Sequence, residues 1–467
     1  MVRKIKNRNM KLNRWLFLTL LGVPFAHPAL AADGDADITT LKQQIDDLDQ
    51  KVRVLERQRE LDQDAATNAL KTQPRFKLDS SGFTLSSADT NFVISLHGLI
   101  QFDSRSFFDV PTAGVRPGNF LLRKARPILT GTVFHDFDFN FTPEFGGGSP
   151  SIYDAYINYH YNPALQLEVG KFKSLVGLEA LQSDTWLFFN ERSLVNNLVP
   201  NRDLGLQLHG NLFDGVASYA AAVLGGTPDQ VSPSNTDPDN NVAFAGRLFF
   251  QPFKKSDTEA LQGFGIGVGG SYQNDEKSAA NLSSGYKTDG QQTFFSYTTG
   301  VVADGRHWRI SPQGYYYYGP FGLLGEYAIS DQKVSSAAVN DDLKNTSWEI
   351  SAGWVLTGES DSYNGITPKN PFDLRKGQWG AWQVVGRYAE LDEDEDALAD
   401  GLVAAGSASK ARAWSAGLNW YLNRNIRANV SYSHTEFSDI GGAGGSSHAS
   451  VTDRAENTLF TRIQLAF

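Results

Sequence analysis

The chain ends Asn457-Thr458-Leu459-Phe460-Thr461-Arg462-Ile463-Gln464-Leu465-Ala466-Phe467, and how these residues are read decides the fold. Taken by twos, Leu459, Ile463, Leu465 and Phe467 fall on one face of a strand. Thr458, Arg462 and Gln464 fall on the other. A soluble sandwich with its apolar face inward uses the same alternation. Here the chain stops on the apolar face, at an aromatic residue. That pattern suits a strand whose apolar face meets lipid and whose polar face meets water.

Composition supports this reading. A mean hydropathy of −0.34 is too polar for a bundle of membrane helices. Beyond the amino terminus no run approaches the ~18 apolar residues that a spanning helix needs. Barrels escape hydropathy scans because only every second residue faces lipid. The chain has no cysteine, which excludes disulfides, thiolate metal sites and cysteine nucleophiles. Residues 1–31 read as a secretory signal, with a basic start, an apolar core from Trp15 to Val23 and an Ala29-Leu30-Ala31 cleavage site. Met10 is an alternative start. Removing a segment with six basic and no acidic residues takes the net charge from −10 to −16. A chain that acidic argues against nucleic-acid binding.

Residues 32–61 form the one convincing helix. Ile38, Leu41, Ile45, Leu48, Val52 and Leu55 keep a 3-4 spacing over three heptads. Two readings stand: a short periplasmic coiled coil, which is preferred, or a single amphipathic helix lying on a surface. Ile or Val at the first apolar position with Leu at the second tends toward dimers. Residues 62–91 read as a polar linker. From Phe92 onward, about sixteen strand-like runs alternate between short turns and long loops, as in bacterial barrels. The segment 357–378 is long where a short turn is expected. The fold expected for 92–467 is an all-β, transmembrane antiparallel barrel. At that strand number side chains cannot fill the lumen, so the polar face must be wet and the barrel a channel.

Two groups of residues carry the chemistry. The segment from Lys173 to Asp203 is too long for a turn and holds Glu179, Asp184, Trp186, Phe188, Phe189, Glu191, Arg192 and Arg202. It is either a surface loop or a loop folded inward to narrow the pore. Cations on such a constriction select anions by field and by charge-assisted hydrogen bonds. The second group is Arg123, Lys124 and Arg126. Counting back by twos from Thr132 and Thr130 sets Arg126 and Lys124 on the polar face, where they avoid the ~2–4 kcal/mol of a lipid-facing charge. The alternative is that they lie above the membrane. The glycine-rich run 263–270 lacks a following helix, so it reads as a strand of small lumen-facing residues and not a nucleotide loop. The acidic run 392–396 reads as a solvated loop, with a divalent ion as the alternative. The histidines show no ligand spacing, and neither a cofactor nor a catalytic set is expected.

Several motifs resemble the phosphate-selective porin O and P family of bacterial outer membranes. They are Val169-Gly170-Lys171-Phe172 with Gly177-Leu178-Glu179, Asn190-Glu191-Arg192, Leu356-Thr357-Gly358-Glu359-Ser360, Gly380-Ala381-Trp382 and Gly417-Leu418-Asn419-Trp420-Tyr421. The resemblance spans about Phe92 to Phe467. It implies a sixteen-stranded homotrimeric channel, constricted by its third loop, that passes phosphate or pyrophosphate. Under it, Arg123 and Lys124 match a basic pair on the second strand and Arg192 an arginine of the third loop. Ala180 stands where the family carries a lysine, and 282–287 has a single cation, Lys287, where the family carries alternating arginines. Arg126 and Lys173 add cations of their own.

The expected function is therefore passive uptake of phosphate, pyrophosphate or related anions. The expected pore-lining residues are Arg123, Lys124, Arg126, Lys173 and Arg192, with Trp186, Phe188 and Phe189 on the constriction loop and no metal. The expected partners are outer-membrane lipid, lipopolysaccharide and two further copies of the chain, with peptidoglycan contact through the coiled coil. Both termini are expected in the periplasm. Two alternatives remain: a porin for a bulkier organic solute or sugar that stacks on those aromatics, and a structural envelope protein anchored to peptidoglycan.

Overall fold

In the terminal strand Ile463 is 62% exposed and its neighbour Arg462 only 2%, the reverse of a soluble protein. The same inversion holds elsewhere. Ile94, Leu96, Ile100 and Phe102 are exposed on one face of their strand, and Gln101 and Asp103 are buried on the other. Apolar side chains outside and polar ones inside satisfy a bilayer around a hydrated lumen.

The structure, a computed structural model, describes residues 34–108, 119–233, 240–441 and 454–467, without the side chains of 34–36, 70 and 71. The signal-peptide segment 1–31 lies outside the described residues. Helix α1 (Gly34–Thr72) lies, up to Lys71, in the first of two compact units. Its apolar stripe, Ile38, Leu41, Ile45, Leu48, Val52 and Leu55, is exposed. Arg53–Asp49 and Arg57–Glu60 ion pairs at helical spacing dress the polar face.

The second unit opens with a hairpin, β1 (Arg75–Asp79) and β2 (Gly82–Ser86). The barrel starts with β3 (Phe92–Phe108), β4 (Asn119–Val133), β5 (Phe137–Glu144), β6 (Ser151–Asn162) and β7 (Leu165–Lys173). It continues with β8 (Arg202–Leu212), β9 (Ala217–Leu224), β10 (Ala243–Phe250) and β11 (Phe264–Ser278). A two-stranded ribbon, β12 (Tyr286–Lys287) and β13 (Thr293–Phe295), sits in the next loop. The wall resumes with β14 (Val302–Tyr318), β15 (Phe321–Ser335), β16 (Asn340–Val355) and β17 (Ala381–Asp392). It ends with β18 (Ser407–Tyr421), β19 (Ile426–Gly441) and β20 (Ala455–Ala466). The sixteen strands β3–β11 and β14–β20 pair antiparallel in sequence order. β20 returns to β3, with Leu465 opposite Ile100 and Thr461 opposite Ser104. Closure leaves no edge to lipid, where unpaired backbone groups are not tolerated.

Three boundaries differ from the sequence reading. The 62–91 linker instead holds the end of α1 and the β1–β2 hairpin. Ala65, Ala66 and Ala69 favour helix without needing an apolar stripe, and β2 joins β3 through Phe83 opposite Leu96. Strands on the long-loop side run further than their hydrophobic alternation: β14 starts at Val302, not His307, and β16 at Asn340, not Trp348. Beyond the bilayer the hydrogen-bond ladder continues while the lipid-facing apolar residues stop. A second long connection, 251–263, carries a short helix, Glu259–Gln262, on the tight-turn side.

Candidate functional site

The segment between β7 and β8 folds into the barrel, and a loop inside a barrel must place its backbone polar groups. Wall side chains meet them. Gln313 donates to the Val176 carbonyl at 2.8 Å, Arg427 to Leu187 at 2.8 Å and Asn419 to Phe188 at 3.0 Å. Gln101 donates to Asp184 at 3.2 Å, Gln464 to Thr185 at 3.1 Å and Arg387 to Glu191 at 3.0 Å. The donors come from opposite parts of the wall, so the loop crosses the lumen as a strap. The long turn after β16 supports it from the other side. Tyr363 donates to the Leu178 carbonyl at 2.7 Å, and Gln182 donates to the Tyr363 carbonyl at 2.8 Å.

The glycine-rich strand β11 makes room for the strap, as a run of small lumen-facing residues should. A Cβ on Gly269 would lie 2.4 Å from the Leu175 carbonyl oxygen and 2.6 Å from that of Val176. Both are backbone atoms and cannot yield without moving the loop. Gly269→Val is accordingly expected to displace the strap and change single-channel conductance by at least a factor of two. An unchanged conductance would show that the strap does not set the bottleneck.

The charged residues gather on two loop carboxylates. Asp184 receives Lys124 at 2.6 Å, Arg192 at 2.7 Å and Arg126, which also binds Glu144 at 2.5 Å. Glu191 receives Arg105 at 2.6 Å and Arg123 at 2.6 and 2.8 Å, with Arg462 at 3.8 Å. Arg462 itself grips Asp103 at 2.6 and 2.7 Å. Burial alone would push the Asp184 carboxyl up; Arg192, Lys124, Arg126 and Lys173 override it and hold it well below the ordinary carboxylate range. Glu191 behaves likewise: burial opposes ionisation, and Arg123 and Arg105 outweigh it.

The strand cations owe their arrangement to a bulge. Gln101 pairs with Lys124 and Phe102 with Leu122, so Arg123 is the extra residue. Counting by twos sends Lys124 and Arg126 inward and leaves Arg123 on the lipid face. The bulge brings Arg123 to Glu191 as well, so all three reach carboxylates of the strap. Lys173 is turned to structure: its ammonium donates to the Leu181 and Gln182 carbonyls at 2.9 and 2.7 Å. Arg192 also donates to loop carbonyls, Glu179 at 3.0 Å and Gln182 at 3.1 Å.

The constriction-loop aromatics do not form a stacking surface. Phe188 and Phe189 are buried with Tyr317 and Val385. Trp186 packs against Val355, Ile366, Ala381 and Tyr421, over Gly365, whose φ of +86° and missing Cβ leave space for the indole. The acidic run 392–396 has a local role, since the Asp394 side chain caps helix Glu395–Ala399 by accepting from Asp396 N–H. Arg105, Arg387 and Glu144 were missed by the sequence reading, which set Arg462 on the polar face of its strand without giving it a role. Arg105 and Arg462 lie on the same alternating faces as Gln101, Asp103 and Gln464, and that period was the available signal.

The strap leaves a cavity on each side. Toward the long loops, one of about 390 Å³ is lined by Arg123, Lys124, Arg126, Arg192 and Lys287 against Glu144 and Glu191. Toward the tight turns, one of about 480 Å³ is lined by Arg126, Lys173 and Arg202 against Asp154, Glu168 and Asp184. Arg126 is common to both. The first has an excess of positive charge and the second is balanced.

A closed sixteen-stranded barrel with an inward strap and cavities lined by charged residues defines a porin-type membrane channel. Residues 95–467 match the family described as "Phosphate-selective porin O and P", and the chain belongs to it. That family resides in the bacterial outer membrane. Porin O of Pseudomonas aeruginosa is 26% identical over 390 residues, covering 75% of this chain and 84% of that relative. Among solved structures, the outer membrane channel DcaP of Acinetobacter baumannii aligns with a TM-score of 0.52 at 11% identity, covering 83% of this chain and 100% of that one. An anion-selective porin from Comamonas acidovorans aligns with a TM-score of 0.51 at 12% identity, covering 80% and 100%. At such identities these two likenesses concern the barrel fold.

Proposed function

We propose that this chain is a passive, anion-preferring outer-membrane channel for phosphate, pyrophosphate or related small anions. The observation that carries the reading is the long-loop-side cavity, where five cations face two carboxylates. Guanidinium and ammonium groups there replace part of an anion's hydration shell, and their summed field repels small cations. The loop-five cations that would deepen the site are absent apart from Lys287, so binding is shallow. In planar bilayers a chloride gradient is expected to give an anion-selective zero-current potential, and added phosphate to reduce the chloride current at millimolar concentration. Cation selectivity would overturn the reading.

The two alternatives draw less support. A sugar or bulky organic solute needs exposed rings, and those of Phe188 and Phe189 are buried. A purely structural envelope protein has no use for cavities on both sides of a strap. We further propose a homotrimer with both termini periplasmic, embedded among outer-membrane lipid and lipopolysaccharide. In it the exposed stripe Ile38–Leu55 closes against its counterparts, and the coiled coil is free to touch peptidoglycan. In this arrangement residues 1–31 are a cleaved signal and 92–467 the channel. Protease added to intact cells is then expected to cut within 225–241 and to spare Asn162–Ala164; external cutting at the latter would reverse the orientation.

A further inference from the structure

Behind the strap, on the side away from the anion site, three glutamates meet. Glu326 on β15 and Glu349 on β16 stand directly opposite each other in the ladder, both facing the lumen. Like charges so placed repel. Glu179 of the strap descends onto them, and one oxygen from each lies within 4.8 Å of the others. All three side chains are buried. Among the described residues one cation reaches the three within ion-pair distance, and it is shared with Asp289. Glu326 accepts the Leu178 and Glu179 backbone N–H groups at 2.6 and 3.2 Å, and Glu179 accepts the Ser193 N–H at 2.7 Å. The nearest cation, Arg387, is 3.4 Å from Glu179 but gives its shorter contact, 2.8 Å, to Asp289. Glu349 accepts from Ser351 at 2.7 Å through one oxygen, and its other oxygen, Oε1, is buried with no hydrogen-bond partner.

We propose that Glu179, Glu326 and Glu349 bind one calcium ion that pins the strap to the barrel wall. Three carboxylates are hard oxygen donors, the set that calcium, magnesium or manganese takes. Flexible coordination favours calcium: a site shared between a loop carboxylate and two wall carboxylates suits its irregular geometry, whereas magnesium demands near-ideal octahedral coordination and dehydrates reluctantly. The ion supplies the charge that the opposed glutamates lack and the partner that Glu349 Oε1 lacks. It also ties a loop residue to two wall residues distant in sequence, so its loss loosens the strap.

The test uses the detergent-solubilised full-length protein, stripped with a chelator and titrated with calcium chloride. Calorimetry is expected to find one site per chain, and calcium to raise the thermal midpoint. Glu349→Gln keeps the shape of the side chain and is expected to lose both, while Glu395→Gln, at an exposed carboxylate of the acidic run, keeps both. Equal calcium binding by Glu349→Gln and the unmodified protein, or no thermal shift in the latter, overturns the proposal. If the variant does not assemble, crystals of the unmodified protein soaked in calcium chloride decide. Anomalous density among the three carboxylates supports the site, and its absence removes it.

Discussion

Arg126→Gln lowers the anion-to-cation permeability ratio roughly five- to tenfold, read as a shift of the zero-current potential in a chloride gradient. Arg126 lines the cavities on both sides of the strap, and in the proposed channel an ion moving between them passes it. Its guanidinium compensates Glu144 at 2.5 Å and shares Asp184 with Lys124 and Arg192. Glutamine keeps a polar side chain and removes the charge, leaving Glu144 with the Ala125 and Gly146 N–H groups but without its cation. A unit charge ~5 Å away contributes about 1 kcal/mol in bulk-like water and about 3 kcal/mol at an effective dielectric of ~20. The lower value suits a wet lumen and sets the size quoted. Lys287→Gln is expected to do much less, because Lys287 lines only the long-loop cavity. Lys173→Gln should act through geometry, making the current noisier without reversing selectivity, because its ammonium holds the Leu181 and Gln182 carbonyls. An unchanged zero-current potential in Arg126→Gln would take this side chain off the ion's path.

Asp184→Asn moves the same property the other way. Lys124, Arg126 and Arg192 lose the carboxylate they share, and the long-loop cavity gains positive field. Phosphate is then expected to block chloride current at roughly a tenfold lower concentration, by the same charge arithmetic. The cost is stability. Removing one partner of a buried ion pair typically costs about 3–5 kcal/mol, because the remaining charges stay buried without compensation. A lower thermal midpoint that phosphate partly restores is the expected signature. The pH behaviour follows from the depressed carboxyl. A group held below its unfolded value stabilises the fold above that unfolded value, and the stabilisation is lost only as pH falls through the folded one. From about pH 8 to about pH 5, Asp184 therefore stays ionised, and the gap between Asp184→Asn and the unmodified protein should stay constant. If Asp184→Asn weakened phosphate block, the carboxylate would be positioning the cations, and the field argument would fail.

Much of this could be read along one strand at a time. Alternation in Asn457–Phe467 requires a lipid face and a polar face, because every second side chain points the same way. Repeated about sixteen times, that requirement leaves a closed barrel with a wet lumen. Turn lengths separated its two ends, and the motifs around Lys173–Asp203 marked the constriction. The apolar stripe of α1 was legible for the same reason, since helical period is a local property.

What only the tertiary structure decided is which side chains meet across the lumen. The bulge at Arg123 breaks the period of two that counting relies on, so a residue that counting alone sends to lipid, and that only the family resemblance set in the pore, reaches Glu191. Nothing along the chain says that Trp186 and Phe188 turn toward the wall, because a loop inside a barrel has polar and apolar neighbours on different sides. The pairing of Asp184 with Lys124, Arg126 and Arg192 joins a loop to a strand far from it in sequence. The meeting of Glu179 with Glu326 and Glu349 depends on strand register and on the descent of the strap, both non-local. Periodicity reports which face a residue occupies, whereas charge pairing depends on the folding of the strap across the barrel, and only the folded chain specifies that.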